Sequence, residues 1–357
     1  MARFSYGGQA LIEGVLMRGR TAIAVALRHP DGRIVWADEK LAVGFRATRW
    51  ARLPFVRGLV VLYETLVVGT RWLVRSAGIA AVEELAPMPP ALSALSALNP
   101  AADPAGVQDA VDAGAMPPPA PVAPVADSAD LGKGAVALML GLTLVVGVGL
   151  FFFLPLLLAK AIAGGQSGVV ERAVEGVIQI AIFLGYLLLI GRTSDVRRTF
   201  QYHGAEHMTI HALEAGDPLT VDAVRKYPTA HPRCGTEFLV VVILVSIVVF
   251  SVVGRQAIPV MVASRIVLIP VIAGISYELL RFGARHRDSR IVRWIFEPGI
   301  WVQKITTKQP TDDMLEVAIV SLEQALLADG EALPDGAGRI GRSPLILSAR
   351  ASPAAEA

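Results

Sequence analysis

The sequence predicts a mainly α-helical, polytopic membrane protein with about four transmembrane helices, a small N-terminal β-hairpin module and amphipathic interfacial helices. Three observations carry this expectation. Only 18% of the 357 residues are charged and the mean hydropathy is +0.54, which is too apolar for an ordinary soluble domain. The apolar residues gather in long uncharged runs in the middle and later chain, and the alternation that marks strands is confined to the start.

Residues 1–50 read as a small module. TAIAVAL (Thr21 to Leu27) and RIVWADEKL (Arg33 to Leu41) flank RHPDG, whose Pro30, Asp31 and Gly32 suit a turn, so a β-hairpin is expected. Gly7 and Gly8 before it read as a glycine turn. Glu13, set between Ile12 and Gly14, reads as solvent-exposed, with a reach toward a site as the alternative. The N-terminus lacks the basic start and continuous apolar run of a signal peptide and is expected to stay cytoplasmic. From Pro54 to Leu85, charges at Arg57, Glu64, Arg71 and Arg75 recur at helical intervals among apolar residues, as in an amphipathic helix at an interface or against a membrane domain. Residues 87–130, rich in Pro, Ala, Asp and Ser, read as a disordered linker, closing a first segment of 1–86.

A membrane domain is expected over 131–309. Its four spans run from about Gly134 to Ala159, Val174 to Ile190, Phe238 to Val253 and Ile258 to Leu280, the middle two being short for a core of ~30 Å at ~1.5 Å per residue. The segment between the second and third carries Arg192, Arg197, Arg198, Arg225, Lys226 and Arg233, and the one after the fourth carries Arg281, Arg285, Arg287, Arg290 and Arg293. The positive-inside rule then makes the protein a multi-pass inner-membrane protein with both termini cytoplasmic. Glu175 and Arg265 fall near the same outer side and are expected to pair. RIVRWIFEPGIWVQKITTKQ mixes Trp and cations as an interfacial segment does. Residues 310–330 read as an amphipathic helix with Thr311 as cap, and residues 331–357 as a disordered tail.

Chemistry concentrates in YHGAEHMTIH, Tyr202 to His211. His203, Glu206 and His207 form H-x-x-E-H, which on a helix puts the two imidazoles one above the other with the carboxylate beside them. Two such rings can hold one metal ion, and the carboxylate can take a proton from water activated there. The spacing alone also suits an ordinary exposed helix. The neighbourhood adds weight, since His211 continues the face and His231 and Cys234 follow in HPRCG. Glu278, at the cytoplasmic end of the fourth span, comes into the same layer. The expected ligands are His203 and His207, with the third from Glu278, His211 or His231 in that order. Cys234, the single cysteine, is either a buried apolar residue or a further ligand, and cannot form an internal disulfide. His29 and His286 read as solvated.

The strings GGQALIEGVLMRG, YHGAEHMTIHALE, HPRCGTEFL, SYELLRFG and PGIWVQKITTKQPTDDMLEVAI, in that order, resemble the YqhQ-like family of bacterial membrane proteins. That family is largely uncharacterised and described as predicted metal-dependent enzymes. The resemblance implies a metal site for which His203, Glu206, His207, His211, His231 and Cys234 match the motif positions. The functional expectation is a metal-dependent enzyme, a zinc hydrolase of an amide or peptide bond at the cytoplasmic membrane face, with Glu206 as catalytic base and a divalent metal, Zn, as cofactor. The alternative is a non-enzymatic membrane scaffold or assembly factor with a closed structural site, for example His203, His207, His231 and Cys234. Transport finds few polar residues in the spans to line a path. Membrane lipid and a second copy of the chain are the expected partners. The net charge of +2 gives no reason to expect nucleic acid.

Overall fold

A computed structural model describes residues 6–41, 53–81, 168–232, 234–253, 257–286 and 289–345, with part of 138–164. The linker expected over 87–130 lies outside the described residues. Two antiparallel hairpins open the chain. β1 (Gly7–Leu11) pairs with β2 (Gly14–Arg18), and β3 (Ala22–Arg28) pairs with β4 (Ile34–Lys40) in the register Ala22↔Lys40 through Arg28↔Ile34. The second hairpin is the expected one. The first replaces the expected glycine turn, because Gly7 and Gly8 sit in the ladder opposite Arg18 and Met17. The turn is made instead by Ile12 and Glu13, the latter at φ 56°.

Side chains alternate across this sheet, and each face meets a different helix. Val15, Met17, Ala24 and Ala26 pack on α9 (Asp312–Ala328) and α4 (Ser194–Ala215), while Leu16, Ile23, Val25 and Leu27 pack around Trp72 of α1 (Val56–Ala80). Among the described residues the sheet has five strands in the order β1-β2-β3-β4-β5, so β1 is an open edge.

α9 differs from its expected amphipathic form. All its residues from Met314 to Leu326 except Glu316 are buried, and Thr311 makes no side-chain cap bond. The chain beyond it also departs from the expected disorder: β5 (Ser343–Pro344) runs parallel to β4, and Leu345 N–H donates to Trp36 O at 2.7 Å. The reason is Glu323, fully buried on α9, which Arg342 and the Gly338 N–H satisfy from this tail. A buried carboxylate without such partners would cost several kcal/mol, about 3–5. Residues 346–357 lie outside the described residues.

The remaining helices are α2 (Leu154–Ala163, continuing a π-helical turn over Gly149–Phe153), α3 (Gly168–Ile190), α5 (Val221–Val224), α6 (Thr236–Val253), α7 (Ile258–Arg285) and α8 (Arg290–Thr306). Among the described residues, two helical segments, Gly141–Ala163 and Gly168–Ile190, are long and apolar enough to cross a membrane, and Glu237–Val253 is a shorter apolar helix. Against the four expected spans, α6 is short, and α7 contains Pro270 and carries Glu278 and Arg281 near its end. Exposed apolar residues cover these helices: Val248 and Val252 on α6, Val267 and Ile269 on α7, and Trp294 and Trp301 on α8. α1 likewise exposes Tyr63, Leu66, Val67 and Val74 on the side away from Trp72. Glu175 pairs with Arg172 one turn earlier on α3, at 2.7 Å; the Arg265 side chain, its expected partner, lies outside the described residues. His286 is exposed, but His29 is buried beside Asp31, with its Nδ1 3.2 Å from that carboxylate.

Candidate metal centre

The H-x-x-E-H segment lies in the middle of α4, in a run from Tyr202 to Ile210 of which only His203 is not buried. Two anchors hold this helix against the sheet. Glu13, on the β1–β2 turn, pairs with Arg198 and accepts the Tyr202 hydroxyl at 3.3 Å; it reaches α4 rather than open solvent. The end of α8 at Thr306 and the loop at Thr229 and Ala230 bring main-chain carbonyls to the histidines, and Gln303 accepts the His231 main-chain N–H.

His203 Nδ1 lies 3.0 Å from Thr306 O, and His207 Nδ1 lies 2.6 Å from Thr229 O. A carbonyl only accepts, so each Nδ1 carries the proton and donates it. In the neutral rings each Nε2 is then left with a lone pair. His203 Nε2 faces Cys234 Sγ at 3.2 Å, while His207 Nε2 is buried and has no hydrogen-bond partner among the described residues. Ligand atoms of His203, His207 and Cys234 all lie within 4.8 Å of one another. One nitrogen of each ring is thus tied to a carbonyl and the other is turned toward the cluster, an arrangement that could hold a metal ion. Two nitrogens and a thiol sulfur within that span suit Zn²⁺, and the orphaned buried Nε2 is the observation that fits such an ion.

Burial, reinforced by the neighbouring His203, pushes the His207 imidazole down to about 2, so it stays neutral at any ordinary pH. Burial also raises the Glu206 carboxyl, against the pull of His203 and of the Gly8 N–H that donates to it. Glu206 is therefore a stronger base than an exposed glutamate.

The other expected ligands are placed differently. Glu278, the leading candidate for third ligand, pairs with Arg57 of α1, accepting from its Nε at 2.7 Å and from the Phe55 N–H at 3.2 Å. Its apolar SYELL context finds compensation across the α1–α7 contact and not at the histidines. His211 bonds through Nε2 to Ala230 O at 3.0 Å and stacks on Tyr227. His231 is buried, with its Nε2 3.3 Å from Glu214 and its N–H on Gln303 at 2.8 Å. These two histidines form a layer behind the cluster, the His231 ring centroid standing 5.8 Å from that of His207. Cys234, which the sequence leaves open between packing and ligation, is the donor brought to His203 and His207.

Glu206, His207 and Cys234 open onto a cavity of about 450 Å³. Its other walls include β1, Leu16 and Arg18 of β2, Ile23 of β3, α1, His231 and Tyr277 of α7. Sequence reasoning misses Gly8 and Gln9, which line it. A Cβ at Gly8 would fall 2.3 Å from Leu16 O and 3.1 Å from the Glu206 carboxyl, and these close approaches are what the glycine permits. The signal lies in Gly7-Gly8 preceding an alternating run, a pattern that equally suits a turn.

The chain is a mainly helical protein with a small N-terminal sheet, in which a His/His/Cys cluster stands beside a buried carboxylate. The chain belongs to the family described as "Protein of unknown function (DUF1385)", whose profile matches residues 53–328. Among its relatives is the "Uncharacterized protein YqhQ" of Bacillus subtilis (strain 168), 29% identical over 333 residues, spanning 90% of this chain and 92% of that protein. No solved structure matches the chain.

Proposed function

We propose that this protein is a membrane-integral, metal-dependent hydrolase of an amide or peptide bond, with Zn²⁺ held by His203, His207 and Cys234 at the cytoplasmic membrane face. The observation that carries the reading is the convergence of two imidazole Nε2 lone pairs and one thiol beside a buried carboxylate, with His207, Cys234 and Glu206 at the wall of one cavity. The membrane part rests on the two apolar helices, on the exposed apolar faces of α6, α7 and α8, and on the arginines between the spans.

When bound, the divalent cation supplies Lewis-acid polarisation of the scissile carbonyl and acidifies a water molecule. The chain's own residues do the rest. Thr306 and Thr229 carbonyls hold the two rings in the ligating tautomer. Glu206, raised by burial and steadied by the Gly8 N–H, accepts a proton from the attacking water and returns it to the leaving amine. Three protein donors leave room for substrate, as catalytic zinc sites do. His231, engaged with Glu214, is the residue that would have to turn inward to close a structural four-ligand site, which favours the hydrolase over the scaffold.

Metal analysis of detergent-purified protein tests the reading. About one zinc per chain is expected in the wild type, with near-complete loss in His203→Ala, His207→Ala and Cys234→Ser. X-ray absorption should give two nitrogens and one sulfur from the protein; a third imidazole in the zinc shell favours the scaffold, and wild-type protein that takes up no zinc overturns both.

A further inference from the structure

The cavity beside the cluster wraps the open edge of the sheet. Side chains of neighbouring strand residues point to opposite faces, yet Gly7, Gly8 and Gln9 in succession all line it. On the α4 side it meets Glu206, and on the α1 side it meets Val61, Thr65 and Gly69. A space that receives both faces of β1 must run along the strand's backbone edge. The two-residue turn closed by Leu11↔Gly14 makes Gln9↔Leu16 and Gly7↔Arg18 the hydrogen-bonded pairs, so the Gly8 N–H and C=O point outward from β1. A Cβ at Gly7 would meet nothing within 4 Å, so the sheet face at Gly7 opens into the same space.

Gln9 is set into this wall in a particular way. Its carboxamide lies on Gly69 of α1, so closely that a Cβ there would fall 2.1 Å from Oε1 and 3.1 Å from Nε2. Gln9 is only half-buried and, among the described residues, its amide has no side-chain hydrogen bond. A donor and an acceptor are thus held side by side, without a partner among the described residues, in the cavity that the metal-ligand cluster borders. A primary carboxamide of this kind matches the C=O and N–H of a backbone amide.

We infer that the Gly7-Gly8-Gln9 edge is the substrate wall of this site and that it takes an extended peptide, with Gln9 reading a backbone amide next to the bond at the metal. The inference rests on the hydrolase reading and narrows its substrate from any amide to a peptide. Pairing with a strand edge supplies main-chain hydrogen bonds irrespective of sequence, and Gln9 is a positioning residue for the adjacent amide.

Calorimetry on zinc-loaded, full-length protein in detergent tests this with three hydroxamates. Acetohydroxamate engages the metal alone, hexanoyl hydroxamate adds an acyl chain without amides, and N-acetyl-Ala-Leu hydroxamate adds two backbone amides. The peptide compound should bind about tenfold tighter than the hexanoyl one. Gln9→Met should remove most of that advantage, with zinc content and acetohydroxamate affinity unchanged, and Gly69→Ala should act in the same direction by displacing the carboxamide. Equal binding of the hexanoyl and peptide compounds, or an advantage that survives Gln9→Met, overturns the inference alone. Failure of all three to bind zinc-loaded protein overturns the hydrolase reading and the inference together.

Discussion

At the scale of residues, the site works through division of labour between the two nitrogens of each histidine. His203 and His207 each give their Nδ1 proton to a main-chain carbonyl, and what remains faces Cys234 and the cavity. Glu206 is expected to be dispensable for metal and required for chemistry. Glu206→Gln should retain about one zinc per chain while hydrolysis of a peptide substrate falls by at least ~10²-fold, in the range of lost general-base catalysis; unchanged turnover removes Glu206 from the mechanism. The depressed His207 also sets a pH dependence in the metal-free protein. Its folded pKa, about 2, lies below the unfolded value near 6.5, so the unfolded chain binds the proton first. The stabilisation is complete above about pH 6.5 and is lost as pH falls, at up to ~1.4 kcal/mol per pH unit from this one group. Glu206, whose carboxyl is raised, titrates in the opposite sense. Urea titrations from pH 7 to pH 5 in a Glu206→Gln background should therefore show the loss plainly, and His207→Gln in that background should flatten it.

Among the elements, α9 and its tail carry the fold, and α4 carries the chemistry. One carboxylate gathers many of the polar contacts where the end of α9 meets the sheet. Asp329 accepts the Arg20 N–H at 2.6 Å, the Thr21 N–H at 2.8 Å, the Thr21 hydroxyl at 2.6 Å and the Tyr6 hydroxyl at 3.1 Å. Burial pushes its carboxyl up, but these donors outweigh burial and hold it below the usual range. Asp329→Asn should destabilise the protein by about 1.5–3 kcal/mol at pH 7, because an amide replaces a charged acceptor with donors facing donors. The contribution of Asp329 is present above its unfolded pKa near 3.9 and lost as pH falls through the lower folded value. Chemical denaturation monitored by tryptophan fluorescence checks the magnitude, and a variant as stable as wild type contradicts this account of the junction. β1 contributes in another way, since its glycines bring an edge strand against Glu206 and so make the N-terminal hairpins part of the site wall.

For the molecule as a whole, the proposed arrangement places a cytoplasmic layer of sheet, α1, α4 and α9 against a membrane layer of apolar helices. It predicts opposite sides for two exposed positions. In a Cys234→Ser background, Val169→Cys, at the start of α3, should react with an impermeant maleimide in intact cells. Asp222→Cys, whose native side chain is 93% exposed beside α5, should react only after permeabilisation; labelling of both from outside contradicts the topology. The helical period of the H-x-x-E-H segment, the β3–β4 hairpin and the helix at 312–328 were legible in the chain because each depends on local periodicity and turn chemistry. The β1–β2 hairpin was not, because two glycines carry no alternation to read. Nor was the burial of α9, since Glu323 and Gln324 look solvated until Arg342 folds back to meet Glu323. The sequence by itself determined which side chains of one helix share a face, and so that His203 and His207 stand together. Only the tertiary structure decided that Cys234 joins them while Glu278 turns to Arg57, because third donors come from distant segments whose meeting depends on packing and charge pairing across the whole chain.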